Sequence, residues 1–276
     1  MVATKYYMAI ALVIVALIAF SAGLVARPIL YPVVKQDPVW ARVSSTGTII
    51  VGTEPGWPPY EYTDAQGNII GFEVDITNRI AQRLGLTVEW RDMGFDAIIP
   101  SVQAGDIDMG VSGFSIDSER LAVVDFTMPH SITEGQVIML QSRANALGIT
   151  KLTSLANISD YGLTCGTQTG TTEETELNSL AANSVRTYTD YLLALQAMKS
   201  GMIDCVYAET PITSNWILDA SQKGEEPIVI VFTRPYYPCA FVVSKDAFTF
   251  LAKVDGALAE MIASGELDQL RQKWKT

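Results

Sequence analysis

The chain has 276 residues, 49% of them hydrophobic, and its 30 acidic residues outnumber 19 basic ones, which gives a formal net charge of -11. This length is enough for one or two hydrophobic cores, and the acidic balance argues against nucleic acid as a partner, because such binding needs clustered Lys and Arg. A single histidine, His130, and three cysteines without CxxC spacing argue against a metal site or Ser-His-Asp chemistry. We expect neither a metal nor another cofactor.

The N-terminus contains a long apolar stretch. Residues 6–26, YYMAIALVIVALIAFSAGLVA, include no charged residue, and about 20 apolar residues are enough to cross a bilayer as a helix. We therefore expect residues 1–26 to be an N-terminal transmembrane helix that anchors an exported protein, with a cleaved signal peptide as the alternative. Residues 27–45 contain three prolines and no clear period, so they are predicted to form a linker.

Short β-rich runs then alternate with amphipathic helical ones. The run GTIIVGT (47–53) predicts a strand, and FEVDITNRIAQRLG (72–85), with apolar residues at 74, 76, 80 and 84 and a final Gly, predicts a helix. A second strand, TVEWRDM (87–93), follows. This alternation predicts an α/β fold with largely parallel sheets.

One segment of the chain is echoed about a hundred residues later. Residues 97–113 read AIIPSVQAGDIDMGVSG, and residues 193–209 read LALQAMKSGMIDCVYAE. In both, an apolar helical run stops at a Gly and is followed by Ile-Asp and a short strand. When the two glycines are aligned, Asp108 matches Asp204 and Gly113 matches Glu209. We expect two lobes of one design, with Gly113 and Glu209 facing each other across a cleft.

Four motifs occur in order along the chain: VGTEPGWPPYEY, GFEVDI, FDAIIPSVQAGDIDMGVSGFSIDSERLAVVDFT and TGTTEE. Together they resemble the extracytoplasmic solute-binding proteins that deliver polar amino acids to ABC importers, over about residues 47–274. The resemblance implies a two-lobe, periplasmic-binding-protein-like fold of type II that closes over one amino acid. Lobe 1 would comprise residues 46–133 and 238–276, lobe 2 residues 134–237, and the hinge segments 131–137 and 234–240.

The resemblance also implies which residues bind the ligand. Arg120 would hold the carboxylate through a two-pronged guanidinium contact, and Glu209 would bind the ammonium group. Further contacts would come from polar and backbone groups at Ser112, Gly113, Ser115 and Thr171. Side-chain specificity would come from two aromatic walls and one acid: Trp57, Phe95 and Glu54. Two aromatic rings and an acid favour a basic or amide amino acid.

Position 209 departs from the family pattern, which usually has Asp there. An enzyme on the same fold is therefore the main alternative: a cyclohexadienyl dehydratase, acting on prephenate or arogenate, with Glu209 as general acid. A third hypothesis is that the protein is the sensor domain of a membrane receptor. The leading hypothesis remains a monomeric binding protein that has no chemistry of its own and hands an amino acid to the permease outside the cytoplasm.

Several other residues are interpreted as structural. Asp108 and Asp204 stand at strand starts, Asp75 at a helix start and His130 near the predicted hinge, and Tyr60 is expected in the core. Cys165 and Cys205 belong to strands that we expect to be neighbours in lobe 2. The two cysteines form either a disulfide or a pair of buried thiols.

Overall fold

The computed structural model describes residues 36–276. The predicted membrane anchor and the beginning of the predicted linker lie outside these residues. Among the described residues, the structure has no helix with the length and apolar character that a membrane span requires.

Strands and helices alternate through the described chain, as the sequence predicts. The strands are β1 Thr48–Thr53, β2 Gly56–Trp57, β3 Glu61–Thr63, β4 Ile69–Ile70, β5 Thr87–Asp92, β6 Met109–Gly110, β7 Val124–Phe126, β8 Ser131–Leu140, β9 Cys165–Gln168, β10 Val185–Tyr188, β11 Cys205–Glu209, β12 Ile228–Cys239 and β13 Val242–Ser244. The helices are α1 Pro38–Thr46, α2 Phe72–Leu84, α3 Phe95–Ala104, α4 Ser118–Val123, α5 Gln141–Leu147, α6 Asn157–Asp160, α7 Thr172–Ala181, α8 Tyr191–Lys199, α9 Thr210–Lys223, α10 Phe248–Ala263 and α11 Glu266–Trp274.

Ten of the thirteen strands of the described chain form two separate five-stranded sheets, which define two lobes, and β2, β3 and β4 form a small third sheet. The sheet of lobe 1 has the order β5-β1-β6-β13-β7, and that of lobe 2 has the order β10-β9-β11-β8-β12. In each, the strands of the βα units pair in parallel, whereas the returning strands β13, β8 and β12 pair antiparallel. The two-lobe α/β prediction is confirmed, but each sheet is mixed rather than mostly parallel.

Two long strands run through the predicted hinge segments. Strand β8 pairs with β12 along its length, from Ser131 opposite Cys239 to Leu140 opposite Ile228, with two register shifts in β12. Since β7 before them and β13 after them belong to the sheet of lobe 1, these strands carry the chain into lobe 2 and back.

A helix occupies part of the predicted linker. Residues 38–46 form α1, with the Asp37 side chain capping its N-terminus and Pro38 in its first turn. The helix buries Val43, and Asp37 also accepts from the backbone N–H groups of Thr249 and Phe250 at 2.6 and 2.8 Å. The prolines suggested a tether, but an Asp-Pro pair also starts helices, because Pro fits the first helical position.

The echoed segments have the same local structure. Asp108 accepts a hydrogen bond from the N–H of Ile50 at 2.6 Å, and Asp204 accepts one from the N–H of Thr164 at 2.8 Å. Each aspartate therefore ties the start of its own strand to a neighbouring one, which agrees with their structural interpretation. Strand β11 lies beside β9 with Cys205 opposite Cys165, as expected, and both are free, buried thiols.

Candidate functional site

A cavity of about 340 Å³ is lined by residues of both lobes. It lies beyond the carboxyl ends of strands, since Glu54 directly follows β1 and Glu209 ends β11, which is where open α/β sheets bind ligands. Its volume suits a small molecule. Eight of the nine predicted site residues line it: Glu54, Trp57, Phe95, Ser112, Gly113, Arg120, Thr171 and Glu209.

Arg120 is buried and held in place by groups from both lobes. Its Nη1 donates to the Ser115 carbonyl at 2.8 Å, and its Nη2 donates to the Gly170 carbonyl of lobe 2 at 3.0 Å. Its Nε lies 3.4 Å from Asp117 Oδ2, and its guanidinium carbon lies 5.5 Å from the centre of the Phe95 ring. A guanidinium has five N–H groups, so donors remain for an anion in the cavity. Arg120 therefore forms the salt bridge to Asp117 and also lines the cavity.

Glu209, at the end of β11, is bound on both carboxyl oxygens. Its Oε1 accepts from the Ser115 hydroxyl at 2.6 Å and its Oε2 from the Thr133 hydroxyl at 2.8 Å. Burial, followed by the negative charge of Glu173, raises the pKa of Glu209 from 4.5 to about 8. This carboxyl group can thus hold a proton near neutral pH and release it to become the partner of a cation.

Ser115 is the ninth predicted site residue, and the structure places its hydroxyl on the Glu209 carboxyl group. It is not among the described residues that line the cavity, and its hydroxyl binds Glu209 rather than facing the ligand space. Thr171 does line the cavity, but its hydroxyl donates to the Gln168 carbonyl at 2.7 Å and caps α7. The hydroxyls of Ser115 and Thr171 thus both bind other groups of the protein.

Trp57 and Phe95, the two aromatic residues named from the sequence, both line the cavity. Trp57 is buried and packs on Tyr60 with 4.7 Å between ring centroids, and Tyr60 belongs to the core, as expected. Gly113, at φ +60°, lies so close to the indole that a Cβ there would be 2.1 Å from Trp57 Cζ3. Only glycine fits this approach of backbone to ring.

One end of the cavity is acidic. Glu54 Oε2 accepts from Gln168 Nε2 at 2.6 Å, which joins lobe 1 to lobe 2. Burial raises the pKa of Glu54, and the nearby charges of Asp190 and Asp96 raise it further. Asp190 and Asp92 line the cavity as well. A cation placed here would relieve the repulsion among these carboxylates.

Two buried acids in the lining, Glu61 and Glu173, are absent from the sequence-based prediction. Glu173 Oε2 accepts from the hydroxyls of Thr172 and Tyr191 at 3.2 and 3.3 Å, and burial raises the pKa of Glu173 to about 6. Burial raises the pKa of Glu61 well above its usual range. Glu173 lies within the TGTTEE motif, but an acid in the first turn of a helix usually has a simpler role beside the helix dipole.

Acids thus far outnumber bases in the described lining of the cavity, in which Arg120 is the one basic residue. The acidic residues are Glu54, Glu61, Asp92, Glu173, Asp190 and Glu209. Such a site suits a ligand that carries one anionic group and more than one cationic group.

Two α/β lobes joined by paired strands, with a ligand-sized cavity between them, define a periplasmic-binding-protein-like architecture. Comparison with known families agrees: residues 49–276 match the bacterial extracellular solute-binding proteins, family 3, and the chain belongs to this family.

Similar proteins include both sequence relatives and solved structures. A probable ABC transporter arginine-binding protein of Chlamydia trachomatis is 26% identical over 231 residues, or 84% of this chain and 87% of that protein. An ancestral arginine-binding protein bound to arginine has 31% identity and a TM-score of 0.74, over 83% of this chain and 98% of that chain. An ancestral amino acid-binding protein, a precursor of cyclohexadienyl dehydratase, has 26% identity and a TM-score of 0.75, over 87% and 99%.

Proposed function

We propose that this protein binds a basic amino acid, with L-arginine as the first candidate, and delivers it to an ABC importer. The observation that carries the proposal is the acid content of the cavity, whose described lining has six acids and one basic residue, because a bound cation would favour the ionised forms of Glu54 and Glu209. Arg120 would bind the α-carboxylate and Glu209 the α-ammonium, while Glu54 and Asp190 would surround the distal cation. The names of the arginine-binding relatives support this choice.

Closure of the two lobes would trap the ligand. In this proposal lobe 1 comprises residues 46–133 and 238–276, lobe 2 comprises residues 134–237, and β8 and β12 act as the hinge. The hydrogen bonds from Gln168 to Glu54 and from Arg120 to Gly170 already link the lobes. The protein would act as a monomer on the outer side of the membrane, held by its N-terminal segment, with the importer's permease as its partner and without a cofactor.

Isothermal titration calorimetry tests this function directly. Purified protein is titrated with L-arginine, L-lysine, L-histidine, L-glutamine and L-glutamate, and Arg120→Ala is measured alongside. We expect the tightest binding for L-arginine, weak or no binding of L-glutamate, and a loss of binding in the variant. Preference for L-glutamate, or no heat with any basic amino acid, would contradict the proposed function.

A dehydratase is the second candidate, because the environment of Glu209 suits a general acid. A carboxyl group whose pKa is raised to about 8 is largely protonated at pH 7 and can donate a proton to a leaving hydroxyl. The charge of the cavity weighs against it, since prephenate carries two carboxylates and the described lining offers one cation. Incubation with prephenate decides the matter: turnover that is lost in Glu209→Gln would establish the enzyme.

A further inference from the structure

A row of fully buried ionisable side chains runs inward from the cavity wall, where Glu61 lines the cavity. Glu73 Oε1 is 2.7 Å from His130 Nε2, and Glu73 Oε2 accepts from the N–H of Gly113 at 3.0 Å. Glu61 Oε1 accepts from the Ser112 hydroxyl at 3.1 Å. Glu61, Glu73 and His130 are each 0% exposed, and the Glu61 carboxyl group lies near that of Glu73, so that burial and then the charge of Glu73 raise the pKa of Glu61.

The partners of these side chains indicate where the protons of this row lie. Glu61 Oε2 has no donor among the described residues, and its carboxyl group adjoins that of Glu73. Two buried carboxyl groups can form a hydrogen bond only if one of them carries a proton. Glu73 already accepts from Gly113 and lies against the His130 ring nitrogen, whereas Glu61 Oε2 lacks any other partner. The proton therefore belongs to Glu61.

The histidine is neutral by the same reasoning. Its Nδ1 is buried and has no partner among the described residues. A charged imidazole would carry an N–H there with no acceptor, which is costly in a buried place. The neutral form with its proton on Nε2 leaves Nδ1 bare and donates to Glu73. The Glu73 carboxylate would then accept from three donors: Glu61, Gly113 and His130.

We propose that Glu61, Glu73 and His130 form a positioning network for the ligand site, with Glu61 permanently protonated and Glu73 as the anionic centre that fixes the backbone of Gly113. Gly113 lies between Glu73 and the indole of Trp57, so a shift of its backbone moves this wall of the cavity. The structural role expected for His130 is, in this proposal, to donate a hydrogen bond to Glu73. The proposal rests on the proposed function, because its readout in affinity needs a ligand.

The network also reaches the strands that join the lobes. The N–H of His130 donates to the Cys239 carbonyl on β12 at 3.0 Å, and β8 begins at the next residue. The backbone carbonyl of His130 accepts from Arg271 Nη2 at 2.8 Å, and the His130 ring stacks on Phe241 at 4.4 Å between centroids. The same imidazole that donates to Glu73 is therefore held at the entrance to the hinge.

Paired substitutions test the proton assignment through affinity for L-arginine. Glu61→Met should weaken binding by about tenfold, as expected when a buried hydrogen bond is lost. Glu61→Gln should recover most of that loss, because its amide can donate to Glu73 as the acid does. Glu73→Gln should recover little relative to Glu73→Met, because an amide cannot accept from all three donors. Asp75→Asn, on the same helix, is the control and should bind normally.

Two spectroscopic signatures test the network without a ligand. At a pH well above 8, where Glu209 is ionised, infrared spectroscopy should still show the carbonyl stretch of a protonated carboxylic acid, and this band should disappear in Glu61→Gln. Since His130 is the sole histidine of the sequence, ¹⁵N NMR of histidine-labelled protein at pH 7 should show one imidazole with its proton on Nε2. If the Glu73 variants fail to fold, His130→Gln and His130→Phe replace them, with binding retained better by the donor-bearing Gln.

The outcomes separate this proposal from the proposed function. A protein that binds no amino acid but shows both signatures would overturn the function and leave the network standing. Absence of the Glu61 band, a charged imidazole, or equal loss in Glu61→Gln and Glu61→Met would overturn the network even if L-arginine binds.

Discussion

If Glu209 binds the α-ammonium group as proposed, the affinity for L-arginine should depend strongly on pH, because that contact needs the ionised form of Glu209. The pKa of Glu209 is raised to about 8, so below pH 8 binding must expel a proton. At pH 6 roughly 1% of this carboxyl group is ionised, against half at pH 8. If the pKa of Glu209 with the ligand bound lies below 6, the dissociation constant should therefore rise roughly 50-fold from pH 8 to pH 6, a change of about 2.3 kcal/mol.

Calorimetry in two buffers of different ionisation enthalpy measures both the affinity and the number of protons released. We expect close to one proton released per arginine at pH 7, and little release by Glu209→Gln, whose affinity should be weak and nearly independent of pH. An unchanged affinity between pH 6 and pH 8 with no proton release would refute the reasoning. It would mean that Glu209 is already ionised or does not face the ammonium.

Four further predictions follow from the contacts described above. Arg120→Lys keeps the charge but loses the planar fork and should weaken L-arginine binding by about 2 kcal/mol in calorimetry, while binding as tight as wild type would place the carboxylate elsewhere. Glu54→Gln should weaken L-arginine more than L-glutamine, and equal losses would make Glu54 structural. Asp108→Ala leaves the N–H of Ile50 without its acceptor and should lower the free energy of unfolding by about 2 kcal/mol in urea denaturation, with unchanged affinity as the control. Thiol titration of the denatured, unreduced protein should find all three cysteines free, and a single thiol would instead reveal a disulfide.

Local sequence patterns predicted the parts of the fold that local rules govern. Helix α2 begins at Phe72, as predicted, and ends at Leu84, one residue before the Gly85 cap. The repeated pattern around Asp108 and Asp204 indicated the two-lobe design. In each copy, capping chemistry ends a helix at a glycine, and a strand starts shortly after it. The same alignment predicted that Gly113 and Glu209 face each other across a cleft, and both residues line the cavity.

The buried acids could not be predicted in this way. Glu61 and Glu73 stand beside aromatic and apolar residues, in WPPYEY and GFEVDI, and Glu173 stands in the polar TGTTEE, but a carboxylate in any of these settings is normally solvated. Their burial depends on partners distant in the chain, such as His130 for Glu73, 57 residues away. Likewise, the hydrogen bond between Ser115 and Glu209 spans 94 residues and joins the lobes, so no local pattern reports it.

The anchoring of Arg120 has a kinetic consequence. Its guanidinium is oriented by one carbonyl from each lobe, at Ser115 and at Gly170, so the carboxylate site is complete only when the lobes are together. Binding would then proceed through a loose first encounter with one lobe, followed by a locking step that aligns Arg120. The residence time of the ligand would then depend on how often the Gly170 contact breaks, so changes in the loop around Gly170 should alter the rate of release far more than the rate of capture.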